Sequence, residues 1–194
     1  TNAVHPDWAA PPIARLFNKI DPSWEIQPRQ LERVKDLQHD SQFRRELWEA
    51  HMETKLALIR MVKESRDLIA VAGLPPEVFG RDLNPDYLTV GFGRRASYYK
   101  RHDLLVRDLS SLIAAVAHDR PIQFIFSGKA HPMDVNPGGG KFILQNLLRA
   151  AEKLNKEYGG RINIVFLPNY NVDIARILIP GVDLWLNNPA WGLE

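Results

Sequence analysis

The sequence contains no cysteine, which excludes a disulfide framework and thiolate metal ligands and fits a reducing compartment. It has no apolar run approaching the roughly 20 residues that a membrane-spanning helix needs, and no signal-peptide pattern. A cytoplasmic protein without a membrane partner is therefore expected. Excess charge is also missing: 25 Lys and Arg against 23 Asp and Glu leave a formal net charge of +2. That is too little to predict a nucleic-acid or membrane-surface partner, so a basic cluster has to be read locally. The six histidines show no paired spacing on a helix face, and no metal site is expected. No nucleophile elbow is present either, which removes Ser-His-Asp chemistry.

What remains is 194 residues, 45% hydrophobic and 25% charged, enough to bury the core of one globular domain. The chain opens at Thr1 without methionine and stops at Gly192-Leu193-Glu194, just past an apolar strand and a turn, which predicts a piece of something larger. Hydrophobic periodicity divides it near residue 86. Residues 1 to 30 are rich in proline and tryptophan without a regular period and read as an ordered surface segment. Trp48, Met52, Leu56, Ile59 and Val62 then recur at spacings of three and four, predicting one face of a helix from about Gln42 to Val71 that ends before Gly73, Pro75 and Pro76. Residues 1–86 are thus expected to form an irregular segment plus long helices packing on the domain. Residues 87–194 are expected to form a Rossmann-like α/β domain, truncated at its C-terminus.

From Asp86 onward strands and helices alternate. Leu88 to Phe92, Ile122 to Phe126, Ile162 to Leu167 and Val182 to Leu186 are short apolar runs that read as strands buried on both faces. Leu105, Leu109, Leu112 and Val116 mark a first crossover helix, and Leu144, Leu147, Leu148, Ala151 and Leu154 a second. This order predicts a doubly wound parallel sheet, in which ligands bind beyond the carboxyl ends of the strands. Those ends carry Gly93 to Lys100, Ser127 to Asp134, Pro168 to Asn171 and Asn187 to Glu194.

The first of these loops is the most informative. Arg94, Arg95, Lys100 and Arg101 follow Gly91-Phe92-Gly93 directly after an apolar strand. A strand ending in a glycine turn and opening into a helix aims free N–H groups and the positive end of the dipole at one spot. Cations there oppose the macrodipole by roughly 0.3 to 1 kcal/mol each, so four of them predict a bound anion. Arginine would supply a bidentate fork and lysine a point charge, a pairing suited to phosphate. Gly91, Gly93 and Ala96 match the dinucleotide-binding glycine pattern, but the second strand ends in Phe126-Ser127-Gly128 without the acidic residue that would hold a ribose. Gly138-Gly139-Gly140-Lys141 falls short of a nucleotide-triphosphate loop, because Phe142 stands where Ser or Thr should hold magnesium. It reads as a flexible lead into a helix beginning near Lys141.

Taken together, Val90 to Arg95 with Tyr99-Lys100-Arg101, Phe126-Ser127-Gly128-Lys129-Ala130-His131-Pro132, Val165-Phe166-Leu167-Pro168-Asn169-Tyr170, and Gly181 to Pro189 ending in Leu193-Glu194 resemble the glycogen or α-glucan phosphorylases. Thr1-Asn2-Ala3-Val4-His5 also resembles the segment opening the second half of the bacterial-type members. The four blocks run in order along the chain. The resemblance implies the C-terminal catalytic domain of a two-domain glycosyltransferase that releases glucose 1-phosphate from an α-1,4-glucan with inorganic phosphate, retaining configuration. It implies pyridoxal 5'-phosphate as cofactor, with the cofactor's phosphate as proton shuttle. Carried across by position, Arg95 and Lys100 would hold the substrate phosphate as catalytic residues. Arg94, Lys100 and Tyr170 would be cofactor-binding, and Glu194, Gly128 and Lys129 substrate-binding or site-lining. Family enzymes are commonly dimers.

Ala190-Trp191-Gly192 stands where the family more often has basic and proline residues. The lysine that would anchor the pyridoxal lies outside the chain, so the isolated chain is expected to be inactive. Two alternatives remain at this level. One is a nucleotide-sugar glycosyltransferase of glycogen synthase type, with Arg95 and Lys100 on a diphosphate. The other is a noncatalytic module that binds glucan or phosphate.

Overall fold

The structure is a computed structural model that describes residues 5–70, 82–102, 104, 120–188 and 190. The first-crossover stripe Leu105 to Val116, the expected stop at Gly73 to Pro76, and Glu194 lie outside the described residues.

The amino-terminal segment is more regular than its proline content predicts. Helix α1 spans Pro11–Ile20. Its two leading prolines occupy the first helical positions, where a missing N–H costs nothing. Trp24 folds back on it, buried, with its ring edge-on to Phe17 and its Nε1–H donating to Asn18 Oδ1 at 2.9 Å. Helix α2, Ser41–Ala70, is capped where Asp40 Oδ1 accepts the Phe43 N–H at 2.8 Å. Its buried face matches the expected one only in part. Val62 of the expected stripe reaches the core and Ile59 packs against it, but Leu58, Thr54 and Lys55 are buried as well, whereas Trp48 is 59% and Leu56 43% exposed. Periodicity misplaced the first half of the stripe because two of the buried positions are polar.

The sheet has four parallel strands in the order β3-β2-β1-β4: β1 Leu88–Arg95, β2 Ile122–Lys129, β3 Ile162–Pro168 and β4 Leu184–Trp185. β1 and β2 run in full register from Leu88↔Ile122 to Arg95↔Lys129. Helix α3, Gly140–Glu157, covers one face, packing Leu147, Ala151 and Leu154 on Val90, Phe92, Phe124, Phe126, Ile164 and Phe166. The other face buries Ile125, Val165 and Leu167 under α2 and under Leu178 of helix α4, Val172–Gly181. The doubly wound α/β class is as expected. Among the described residues, no helix is long and apolar enough to cross a membrane.

Two strand boundaries and the role of two glycines correct the sequence reading. β1 does not stop at Phe92; it runs through both glycines to Arg95. Gly91 and Gly93 are not a turn but clearance for neighbours: a Cβ at Gly91 would lie 2.8 Å from Val182 Cγ1, and one at Gly93 would lie 2.5 Å from Tyr170 Cε2. β4 is shorter than expected, pairing with β1 only at Val90↔Leu184 and Gly91↔Trp185.

What holds so short a strand in place is a buried polar junction at the amino ends of β1 and β4. Asp183 accepts from Lys55 Nζ at 2.8 Å, from the Thr89 N–H at 2.7 Å, and meets His51 Nε2 at 2.7 Å. Lys55 also donates to the Tyr87 carbonyl at 2.8 Å. Burial alone would raise the Asp183 pKa, but the hydrogen bonds from Lys55, His51 and Thr89 outweigh it and hold the carboxyl below its usual range.

Candidate functional site

The chain passes from β3 at one sheet edge to β4 at the other, so the connection direction reverses between β1 and β4. In a doubly wound sheet, the crevice at such a reversal, beyond the carboxyl strand ends, is where ligands bind. Beside that reversal, on the other flank of β1, a cavity of about 580 Å³ opens at the carboxyl ends of β1 and β2. It is lined by Arg95, Ala96, Ser97, Tyr99, Lys100, Lys129, Ala130, His131, Pro132, Asp134 and Tyr170.

Strand register brings its cations together. Arg95 and Lys129 are directly paired positions at the ends of β1 and β2. The Ala96 N–H then donates to the Lys129 carbonyl at 2.9 Å, carrying the ladder one residue further. A three-residue 3-10 turn, Tyr98–Lys100, returns Lys100 to the cavity. Its ammonium lies 5.4 Å from the Tyr99 ring centroid. Among the described residues, Arg95, Lys100 and Lys129 have no carboxylate within salt-bridge distance. Among the described residues, Asp134 is the carboxylate that lines the cavity, and its Oδ2 accepts the Gly140 N–H at 2.6 Å at the start of α3.

The cations of this cavity are placed differently from the expectation. Arg94 and Arg95 stand on a strand and Lys100 in a 3-10 turn, so none of them occupies the first turn of an α-helix. Arg95 and Lys129 at strand ends and Lys100 in the turn line the cavity. The triple glycine is likewise not a loose lead. Gly138 adopts φ 83°, and a Cβ at Gly140 would lie 2.7 Å from the Ala96 carbonyl oxygen and 3.0 Å from Asp134 Oδ2. Only glycine lets the start of α3 pass so close beneath the β1 loop.

The remaining expected site residues separate by position. Arg94 is half-buried and absent from the cavity lining; its carbonyl is held by His102 Nε2 at 3.1 Å. His102 is 1% exposed and stands edge-on to Phe92. Gly128 is also absent from the lining. It is buried against α3, where a Cβ would come 2.9 Å from Leu144 Cδ2. Tyr170 follows Asn169, which takes the left-handed conformation at φ 60°, and lays its ring over Gly93. Burial pushes the Tyr170 phenol above its ordinary pKa, partly opposed by the charge of Arg94. Ser97, Tyr99, His131 and Asp134 were not singled out, although each falls in a loop at a strand's carboxyl end, which was the available signal. Ser97 Oγ is buried without a hydrogen-bond partner among the described residues.

Comparison with known proteins shows which family the chain belongs to. The carbohydrate phosphorylase family model matches residues 7–187. The chain belongs to the carbohydrate phosphorylase family. It is 36% identical over 211 residues to a glycogen phosphorylase of Aquifex aeolicus (strain VF5), covering 100% of this chain and 28% of that protein. It is 36% identical over 201 residues to a glycogen phosphorylase of Mycobacterium tuberculosis (strain ATCC 25618 / H37Rv), covering 100% of this chain and 22% of that protein. A maltodextrin phosphorylase of Thermococcus litoralis (strain ATCC 51850 / DSM 5473 / JCM 8560 / NS-C) is 36% identical over 154 residues, 77% of this chain and 17% of its own length. The chain thus spans about a quarter of the length of the first of these relatives.

Proposed function

We propose that this chain supplies the phosphate-binding part of the catalytic centre of an α-1,4-glucan phosphorylase, which cleaves the terminal glucose with inorganic phosphate and releases glucose 1-phosphate. The observation that carries the proposal is the convergence of Arg95, Lys100 and Lys129 on one concave site with no carboxylate ion-pair partner among the described residues. A site of this kind neutralises an anion. In phosphorolysis two phosphate groups meet, and fixed positive charge offsets their repulsion.

The residues also suit the phosphate end of pyridoxal 5'-phosphate. Beside the cations, Ser97 Oγ is a buried hydroxyl with no partner among the described residues, and Tyr170 offers a half-buried aromatic wall. When bound, that group would supply a second phosphate able to pass a proton. Arg95 would orient the substrate phosphate through its planar fork, and Lys100 and Lys129 would add point charges around it. Tyr170, its phenol held neutral above the usual range, would exclude water from one side without adding negative charge. Arg94, outside the lining, would act through the field it places on Tyr170. Glu194 stays assigned to glucose hydroxyls.

The test is a phosphorolysis assay on the full-length gene product with maltodextrin, inorganic phosphate and pyridoxal 5'-phosphate. Release of glucose 1-phosphate that needs all three is expected. Cofactor-loaded protein that releases none, or that transfers glucose from a nucleotide sugar instead, would refute the proposal.

A further inference from the structure

The fourth cation of the cluster behaves differently from the other three. Arg101 does not line the cavity. It holds a left-handed backbone at φ 45° and ψ 50°, a conformation that disfavours any residue with a Cβ and persists where surrounding contacts impose it. From there its Nε donates to the Asn188 carbonyl at 2.9 Å, and Asn188 Nδ2 returns a longer bond to the Arg101 carbonyl at 3.4 Å. Two residues further along the same loop, the Ala190 N–H donates to the Tyr99 carbonyl at 2.7 Å. The bonds flank Lys100 on both sides.

These contacts join the two loops that border the reversal crevice. β4 contributes only Leu184–Trp185 to the sheet, and its ladder ends where the Leu186 N–H donates to the Gly91 carbonyl at 2.9 Å. Beyond that point, the loop through Asn188 and Ala190 is fixed to the β1 loop by the Arg101 bridge and the Ala190 bond.

We infer that Arg101 is a positioning residue: it locks the loop after β4 to the turn carrying Lys100, so that the groups on either side of the crevice keep one spacing. This rests on the phosphorolysis reading, in which phosphate lies on the β1 side and sugar is contacted from the β4 side. Arg101 would then set sugar placement relative to phosphate without touching the phosphate.

The experiment compares Arg101→Gly and Arg101→Lys with wild type in the full-length gene product. Glycine removes the guanidinium while relieving the left-handed backbone, two effects of opposite sign on stability, so R101G is expected to melt within a few degrees of the wild-type temperature. Its kcat/KM for glucan should fall about tenfold or more, the loss of one charge-assisted hydrogen bond, while the KM for phosphate stays within about twofold. R101K, whose ammonium can still donate to the Asn188 carbonyl, should recover part of the loss. Hydrogen exchange supplies a readout independent of catalysis: the Ala190 amide should exchange faster in R101G. Wild-type kinetics in R101G, a phosphate KM that rises as in Lys100→Met, or unchanged protection of Ala190 would overturn the inference. A wild-type protein that releases no glucose 1-phosphate would refute the phosphorolysis reading instead, and the exchange measurement would still decide the role of Arg101.

Discussion

Replacing Lys55 by methionine removes an ammonium from the core while keeping most of the side chain's volume. The Lys55 side chain is 3% exposed and Asp183 14%, so the variant leaves a largely buried carboxylate short of its closest cation. Breaking a buried pair by removing one partner costs about 3–5 kcal/mol. Asp183 keeps the Thr89 N–H and His51, which places the expected loss near about 3 kcal/mol. For a chain of this size each kcal/mol lowers the melting temperature by roughly 2–4 °C, so a fall of about 6–12 °C is expected by circular dichroism. The junction anchors a strand that pairs at only two positions, so the damage should centre on β4. Adding Asp183→Asn to K55M should cost less than the sum of the two single changes by about 1 kcal/mol or more, because no charge is then stranded. A K55M variant within about 0.5 kcal/mol of wild type, or strict additivity in the cycle, would refute the assignment of the junction as a coupled buried network.

Further outcomes follow from the same packing and charge. The Asp183 carboxyl titrates below its unfolded value, so its stabilisation is fully present above the unfolded carboxylate pKa of about 3.9 and is lost as pH falls through the lower folded value. Urea unfolding as a function of pH should show this acid loss in wild type and a flatter profile in Asp183→Asn. Gly181→Ala would put a Cβ 2.6 Å from Leu58 Cβ and 3.1 Å from the Thr54 carbonyl oxygen, forcing α4 away from α2 at a cost of about 1–3 kcal/mol; a melting temperature equal to wild type would contradict that contact. Tyr170 ionises above the ordinary tyrosine range, so an ultraviolet tyrosinate titration should contain a late component that Tyr170→Phe removes. Gly93→Ala, which displaces the same ring, should move that component toward the ordinary value.

Local sequence was enough where the signal is local. The alternating apolar runs located all four strands, and Leu147, Ala151 and Leu154 of the expected α3 stripe are buried as read. It failed where the cause lies elsewhere in the chain. Gly91 and Gly93 look like a turn because nothing nearby reveals that Val182 and Tyr170 need the space above them. The α2 stripe was shifted because Lys55 and Thr54 are buried through partners 128 and 126 residues away. Helix α1 was hidden by prolines that in fact open it. At the site, the basic cluster divides in a way that local sequence does not show: Arg95 and Lys100 line the cavity, and Arg94 and Arg101 do not. Only strand register puts Arg95 beside Lys129, and only the β4 loop shows what holds Arg101.

Calorimetric titration of inorganic phosphate into the full-length gene product tests most directly whether the strand-tip cations form one anion site. Arg95→Gln and Lys100→Met should each weaken binding by about tenfold or more, the loss of a charge-assisted contact. Arg44→Gln, at a separate cavity on α2, should leave binding unchanged. Phosphate affinity that survives both site substitutions, or that falls equally in all three variants, would contradict convergence of Arg95 and Lys100 on a single bound phosphate.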